Sequence, residues 1–194
     1  MTFNVFFYPE QAFLGFVKRT IKKWEYKNFQ LGDDIDIEEI GQDIDDGAVA
    51  IIALVAAIEA TVNSIFKYDG RFRHFDELRL ESKLNLIYEL NCASIEWGQQ
   101  PWQDISRIIR IRNWLAHFKE SNVIGLTSVD GDWIQDSVNR PPKIDPQYEL
   151  SIAQVKNYYN SIRNGLIGIS SLSEKYSQWR RIFEEERYDS ILIG

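Results

Sequence analysis

The chain has 194 residues, of which 44% are hydrophobic, 13% aromatic and 26% charged. This composition fits one globular domain with a real core and excludes a disordered or fibrous polypeptide. A net charge of −7 argues against general coating of nucleic acid. A single cysteine, Cys92, excludes an intramolecular disulfide, and with only His74 and His117 as histidines no structural metal or cofactor is expected.

Residues 2–8 read as a short strand or an aromatic arm. Pro9 then opens a helix to about Phe29, whose Lys18, Arg19, Lys22, Lys23 and Lys27 read as a solvated basic face. Gly32 to Asp46 is acidic and reads as a loop with room for a short helix. Its aspartates lack the oxygen alternation of a calcium loop. The clearest element is a helix from Asp45-Asp46 to about Tyr68, in which Ile51, Leu54, Val55, Ile58, Val62, Ile65 and Phe66 recur at helical spacing. Glu59 and Asn63 lie one turn apart on its flank. Asp69-Gly70 ends it.

A second helix is expected from Asp76 to Leu90, with Leu80, Leu84, Ile87 and Leu90 as its seam. Gly98 to Pro101 then breaks the pattern. Pro101-Trp102 opens a third helix to about Phe118, with Ile105, Ile108, Ile109, Leu115 and Ala116 as its stripe. Asn122 to Pro146 is an excursion in which Asp130-Gly131-Asp132, between β-prone runs, signals a hairpin and not a metal site. A last helix runs from Ser151 to Gln178 on Val155, Tyr158, Tyr159, Ile162, Leu166 and Ile169, with Gly165 and Gly168 weakening it or permitting close packing. Arg181 to Gly194 is a tail that either stays loose or docks on a partner. Trp97, Trp102, Trp114 and Trp133 read as core or interface and not as base-stacking platforms.

The expected fold is therefore mainly all-α, an up-and-down helical bundle with a short β-hairpin or irregular insertion near 122–146. A single domain spans 1–194, with its core at about 45–180, an N-terminal arm and helix at 1–31, and a C-terminal tail at 181–194. The longest apolar run, Ala48 to Ile58, stops at Glu59, short of a membrane span, and Met1 to Tyr8 lacks the layout of a signal peptide. No membrane association and a cytoplasmic location are expected.

One stretch carries chemistry: Arg112-Asn113-Trp114-Leu115-Ala116-His117. Projected at about 100° per residue, Arg112 falls within the apolar stripe of the third helix, while Asn113, His117 and Arg110 share its flank. A buried arginine needs a carboxylate, and Glu59 is the natural candidate. Histidine suits proton transfer near neutral pH, and arginine suits phosphate. Together they serve cleavage of an RNA backbone, in which one histidine deprotonates a 2′-hydroxyl and a second protonates the leaving oxygen. The chain supplies one such histidine, since His74 lies in a separate loop, so a homodimer would supply the other. His117 near a helix C-terminus equally suits capping or packing. There is no phosphate-binding glycine loop and no nucleophile elbow.

Arg112-Asn113 followed by His117 resembles the Arg-Asn…His signature of the HEPN superfamily. Glu59 and Asn63 within Ala57 to Asn63 look like the Glu-x-x-x-Asn stretch upstream in many HEPN-like proteins, and Pro101-Trp102-Gln103-Asp104 leading into the motif is similar too. The similarity covers about residues 45–120. It implies an all-helical, HEPN-like bundle, often dimeric, and a metal-independent endoribonuclease of a toxin–antitoxin or defence system, with RNA as substrate and an antitoxin or other protein as partner. Arg112 and His117 would be catalytic, Asn113, Glu59 and Asn63 supporting, and Arg107, Arg110 and Lys119 would contact RNA. Two departures stand out. His117 is followed by Phe118-Lys119 and not by the His-x-Tyr ending of the branch paired with nucleotidyltransferases, and the chain is acidic. The alternative is a non-enzymatic helical interaction protein in which Arg112, Glu59 and Asn113 hold helices together.

Overall fold

Helices form wherever the apolar spacing asked for them, and their ends are where the chain departs from it. The computed structural model of the protein describes residues 9–31, 37–70, 75–116, 126–129, 132–135 and 144–186. Helix α1 (Pro9–Leu31) starts on a proline, whose fixed φ suits a first turn. It buries Leu14, Val17, Ile21 and Trp24 at intervals of three or four. Helix α2 (Ile37–Asp69) buries every residue of its expected stripe, from Ile51 to Phe66. It begins about two turns earlier than Asp45-Asp46, which lie inside it. Ile37, Ile40 and Ile44 extend the spacing, and Ile44 packs against the core. That contact outweighs the low helix propensity of Gly41 and Gly47.

A 3₁₀ turn at Phe75–Glu77 replaces the expected start of the second helix, and α3 proper is Leu80–Leu90. It buries Leu80, Leu84, Ile87 and Tyr88, and also Lys83. Cys92 adopts a left-handed φ of +56° and its N–H bonds the Glu89 carbonyl, so the helix closes well before Gly98. Trp97 then anchors the loop: its indole donates to Asn85 Oδ1 at 3.0 Å and stands edge-on to Trp102. Tyr88 packs against the same Trp102, and burial pushes its phenol up to about 12.

Helix α4 (Trp102–Ala116) buries Trp102, Ile105, Ile108, Ile109 and Ile111. Strands β1 (Leu126–Val129) and β2 (Asp132–Gln135) pair antiparallel, Thr127 opposite Ile134 and Ser128 opposite Trp133, as the Asp-Gly turn signal required. Asp145 caps the short α5 (Pro146–Glu149) through the N–H groups of Gln147 and Tyr148. The Ser151 hydroxyl caps α6 (Ile152–Ser171) through Gln154. All six residues of the expected α6 stripe are buried.

The last helix does not run to Gln178. The Ser170 and Ser171 hydroxyls turn back to the Ile167 carbonyl and Ser173 caps a new turn, so serines compete with the helix and end it. After a 3₁₀ turn at Glu174–Tyr176, α7 (Ser177–Glu184) buries Trp179 and Phe183, one turn apart. Phe183, within the expected tail, is thus core.

Helix α2 sits at the centre, with α1, α4 and α6 packed on it. Helix α6 runs against both α1 and α4. Glu25 meets Lys156 while Lys18 and Arg163 meet at Glu186, and Asp104 meets Ser161 while Arg107 and Tyr158 share Glu149. This is an all-α helical bundle with one small hairpin. Between Asp43 and Asp69, α2 is long and apolar enough to cross a membrane by length and composition. A count of uninterrupted apolar residues ending at Glu59 misses this. Its Ile51, Leu54, Ile58, Val62 and Ile65 are covered by the bundle, as in a core helix.

Two close approaches depend on glycine. A Cβ on Gly47 would fall 2.1 Å from the Leu150 carbonyl oxygen, and one on Gly165 would fall 2.5 Å from Ile105 Cδ1. The first clash is with backbone and cannot be relieved by a rotamer. Gly47→Ala is expected to destabilise the protein by roughly 1–3 kcal/mol in urea unfolding, despite the better helix propensity of alanine.

Candidate functional site

Arg112 lies on α4 one turn beyond Ile108 and Ile109, at the azimuth of the buried stripe. The bundle thins at this level: Leu115 is half-buried and Ala116 is exposed. The Arg112 side chain is accordingly 31% exposed, and its Nη2 stands 4.0 Å from Glu59 Oε2 on α2, itself 44% exposed. The expected partner is present, but at the rim and not in the core. Asn113 beside it is exposed. Arg110 is exposed as well, its Nε donating to the Ser106 carbonyl at 3.3 Å. His117 and Lys119 lie outside the described residues, as does His74.

Asn63 is engaged one turn further along α2, where its Oδ1 accepts from Lys83 Nζ at 2.9 Å. Lys83 is only 2% exposed, and its ammonium lies 5.6 Å from the centre of the Phe75 ring. No carboxylate among the described residues pairs with it. Glu59 and Asn63, on successive turns of one helix, thus each hold a cation from a different neighbour: Arg112 of α4 and Lys83 of α3. The sequence reading passed over Lys83. Its position three residues after Leu80 and four before Ile87 places it in the α3 seam, and that spacing was the available signal.

Arg107 turns to the bundle. Its Nε donates to Glu149 Oε1 at 2.9 Å, and its Nη2 reaches the same oxygen. Tyr158 donates to the other oxygen, Oε2. Glu149 is 3% exposed, so this carboxylate is a buried charge paired with one guanidinium and hydrogen-bonded by one phenol. The hydrogen bonds to Glu149 raise the guanidinium of Arg107 against the effect of its own burial. Burial first, and the bond given to Glu149 second, push the Tyr158 phenol far above its ordinary range. The triad joins α4, α5 and α6, a role that removes two of Arg107's donors from the RNA contact the resemblance implies.

Among the described residues no three His, Cys, Asp or Glu side chains converge as a metal site. No protein-family model matches the chain, and no curated protein or solved structure matches it.

The two arginines are expected to behave oppositely in thermal and urea unfolding. Arg107→Met leaves Glu149 buried with a single donor and costs roughly 3 kcal/mol or more. Arg112→Ala breaks a half-exposed pair and costs under about 1 kcal/mol.

Proposed function

We propose that the protein is a HEPN-like, metal-independent endoribonuclease whose site is completed by a second copy of the chain. The observation that carries this reading is the position of Arg112 and Asn113, adjacent residues at the accessible C-terminal end of α4, with Arg112 leaning on Glu59 and keeping part of its guanidinium in solvent. The planar donor fork of a guanidinium suits the non-bridging oxygens of a phosphodiester. His117 follows Ala116, the last described residue of the same helix.

In this reading His117 takes the proton of a 2′-hydroxyl as that oxygen attacks the adjacent phosphorus, and Arg112 stabilises the charged phosphorane. The bond to the 5′-oxygen breaks as His117 of the second copy delivers a proton to it. The products are a 2′,3′-cyclic phosphate and a free 5′-hydroxyl, and the protons balance between the two histidines. Asn113 supports the arginine, while Arg110 and Lys119 meet flanking phosphates. The net charge of −7 disfavours general coating of RNA. A protein partner in a toxin–antitoxin or defence setting would act by covering this end of the bundle.

The competing reading, an interaction protein held together by the same residues, draws on the Arg112–Glu59 contact. Its 4.0 Å separation and half-exposed side chains give that contact little stabilising power. RNA incubated in EDTA separates the two. His117→Ala and Arg112→Ala are each expected to lower cleavage by about 100-fold or more while leaving the helical circular dichroism unchanged. A wild-type protein inert on diverse RNAs, or one indifferent to His117→Ala, defeats the enzymatic reading.

A further inference from the structure

From Ala48 to Ile58 helix α2 carries no polar residue, so for about three turns it is apolar on every side. The bundle does not cover every side. Val49 is 50% and Ile52 48% exposed, and Ala56 beside them is half-buried. These three belong to a longer series. Asp45, Val49, Ile52, Ala56, Glu59 and Asn63 follow one another at alternating intervals of four and three. At about 100° per residue they lie within about 80° of one another, on the side of α2 away from the contact of Gly47 with Leu150. Alternation of four and three is the spacing of a two-helix seam, in which each side chain enters a gap on a second helix. The stripe that the bundle covers, from Ile51 to Phe66, lies on other sides of α2, and from Asp45 to Ile52 this seam faces solvent.

The two ends of the open seam differ in charge. Asp45 is exposed and pairs with no cation among the described residues. At the other end Glu59 brings in Arg112 of α4, whose guanidinium stands 4.0 Å away on a side chain that is 31% exposed. Beyond it Asn63 accepts from Lys83 at 2.9 Å and closes the series. Asp45 and Glu59 each lie seven residues from Ile52. A free carboxylate and a solvent-facing guanidinium thus sit at matching levels, each about 10 Å along the helix from an exposed isoleucine.

We propose that this seam is a contact between two copies of the chain, in which α2 pairs antiparallel with α2 of the second copy about a two-fold axis at Ile52. The two Ile52 side chains meet on the axis. Val49 of each copy lies over the small Ala56 of the other, and Asp45 of each meets Arg112 of the other. A guanidinium has five donors, so Glu59 and Asp45 of the second copy can share it. The contact is self-complementary, as a two-fold interface requires. A partner helix bearing one sign of charge would satisfy one end of the seam and meet its own sign at the other. Along the antiparallel pair the two Glu59 positions are about 21 Å apart. That is too far for the two Arg112 side chains to share one phosphodiester. This contact is therefore distinct from the one that completes the RNA site, and it does not rest on that reading.

Sedimentation equilibrium on the full chain, without RNA, tests this. The wild type should be a dimer at micromolar concentration. Ile52→Asp should weaken association by about 30-fold or more, the loss expected at a central interface residue, with helical circular dichroism unchanged. Asp45→Arg and Arg112→Asp should each shift the protein toward monomer, because each sets like charges face to face. An equimolar mixture of those two variants should recover the dimer, since each supplies the charge that the other lacks. A monomeric wild type, a mass indifferent to Ile52→Asp, or a mixture no more associated than its components overturns the proposal. Should Ile52→Asp fail to fold, the mixture decides. A protein that passes these tests and cleaves no RNA defeats the enzymatic reading alone.

Discussion

A helix of 33 residues with an apolar stripe along most of its length cannot be covered by one neighbour, and this requirement of α2 organises the bundle. Helix α1 lies against it, and α4 and α6 close the other sides. The glycine at position 47 lets the turn between α5 and α6 come within contact of its backbone. Where the cover runs out, apolar side chains stay in solvent: Val49 and Ile52 are half-exposed. The same thinning, at the far end of α4, sets the surroundings of Arg112. The site is at a rim because Arg112 and Glu59 meet at the edge of the packed faces, their side chains 31% and 44% exposed.

The interior charges are handled in three different ways. Glu149 is paired with the Arg107 guanidinium and accepts a further hydrogen bond from Tyr158, which together offset its burial. Lys83 is given one amide oxygen and the face of an aromatic ring, with no opposite charge among the described residues. Glu10 is given almost nothing, and the protein meets the cost by favouring its neutral form. The first arrangement fixes register between α4, α5 and α6.

These arrangements bear on the candidate site through α2. Glu59 and Asn63 share its outer flank, one reaching α4 and the other α3. A shift of α2 along its axis would disturb both contacts together, and with them the direction of the Arg112 guanidinium. The Arg107–Glu149–Tyr158 triad holds α4 in place from the other side, two turns or less from Arg112. The site is thus supported by elements that do not touch it.

Periodicity determined where most of the helices lie and, for α2 and α6, which faces they bury. The stripes of α2 and α6 are buried residue for residue, because burial of apolar area at a spacing of 3.6 is a local property of the sequence. The Asp-Gly hairpin and the pairing of Arg112 with Glu59 were legible for the same kind of reason: a turn signal, and a charge that needs its opposite. Tertiary structure decided what depends on distance between segments. It started α2 two turns early because Ile44 found a core to pack on, and it ended α6 at its serines because Trp179 and Phe183 could be buried by a separate α7. It drew Arg107 inward to Glu149, which lies 42 residues away in the chain, and left Arg112 half in water. Azimuth on a helix follows from residue number, but depth in a bundle depends on how far the neighbouring helices extend, and that is settled only when they pack.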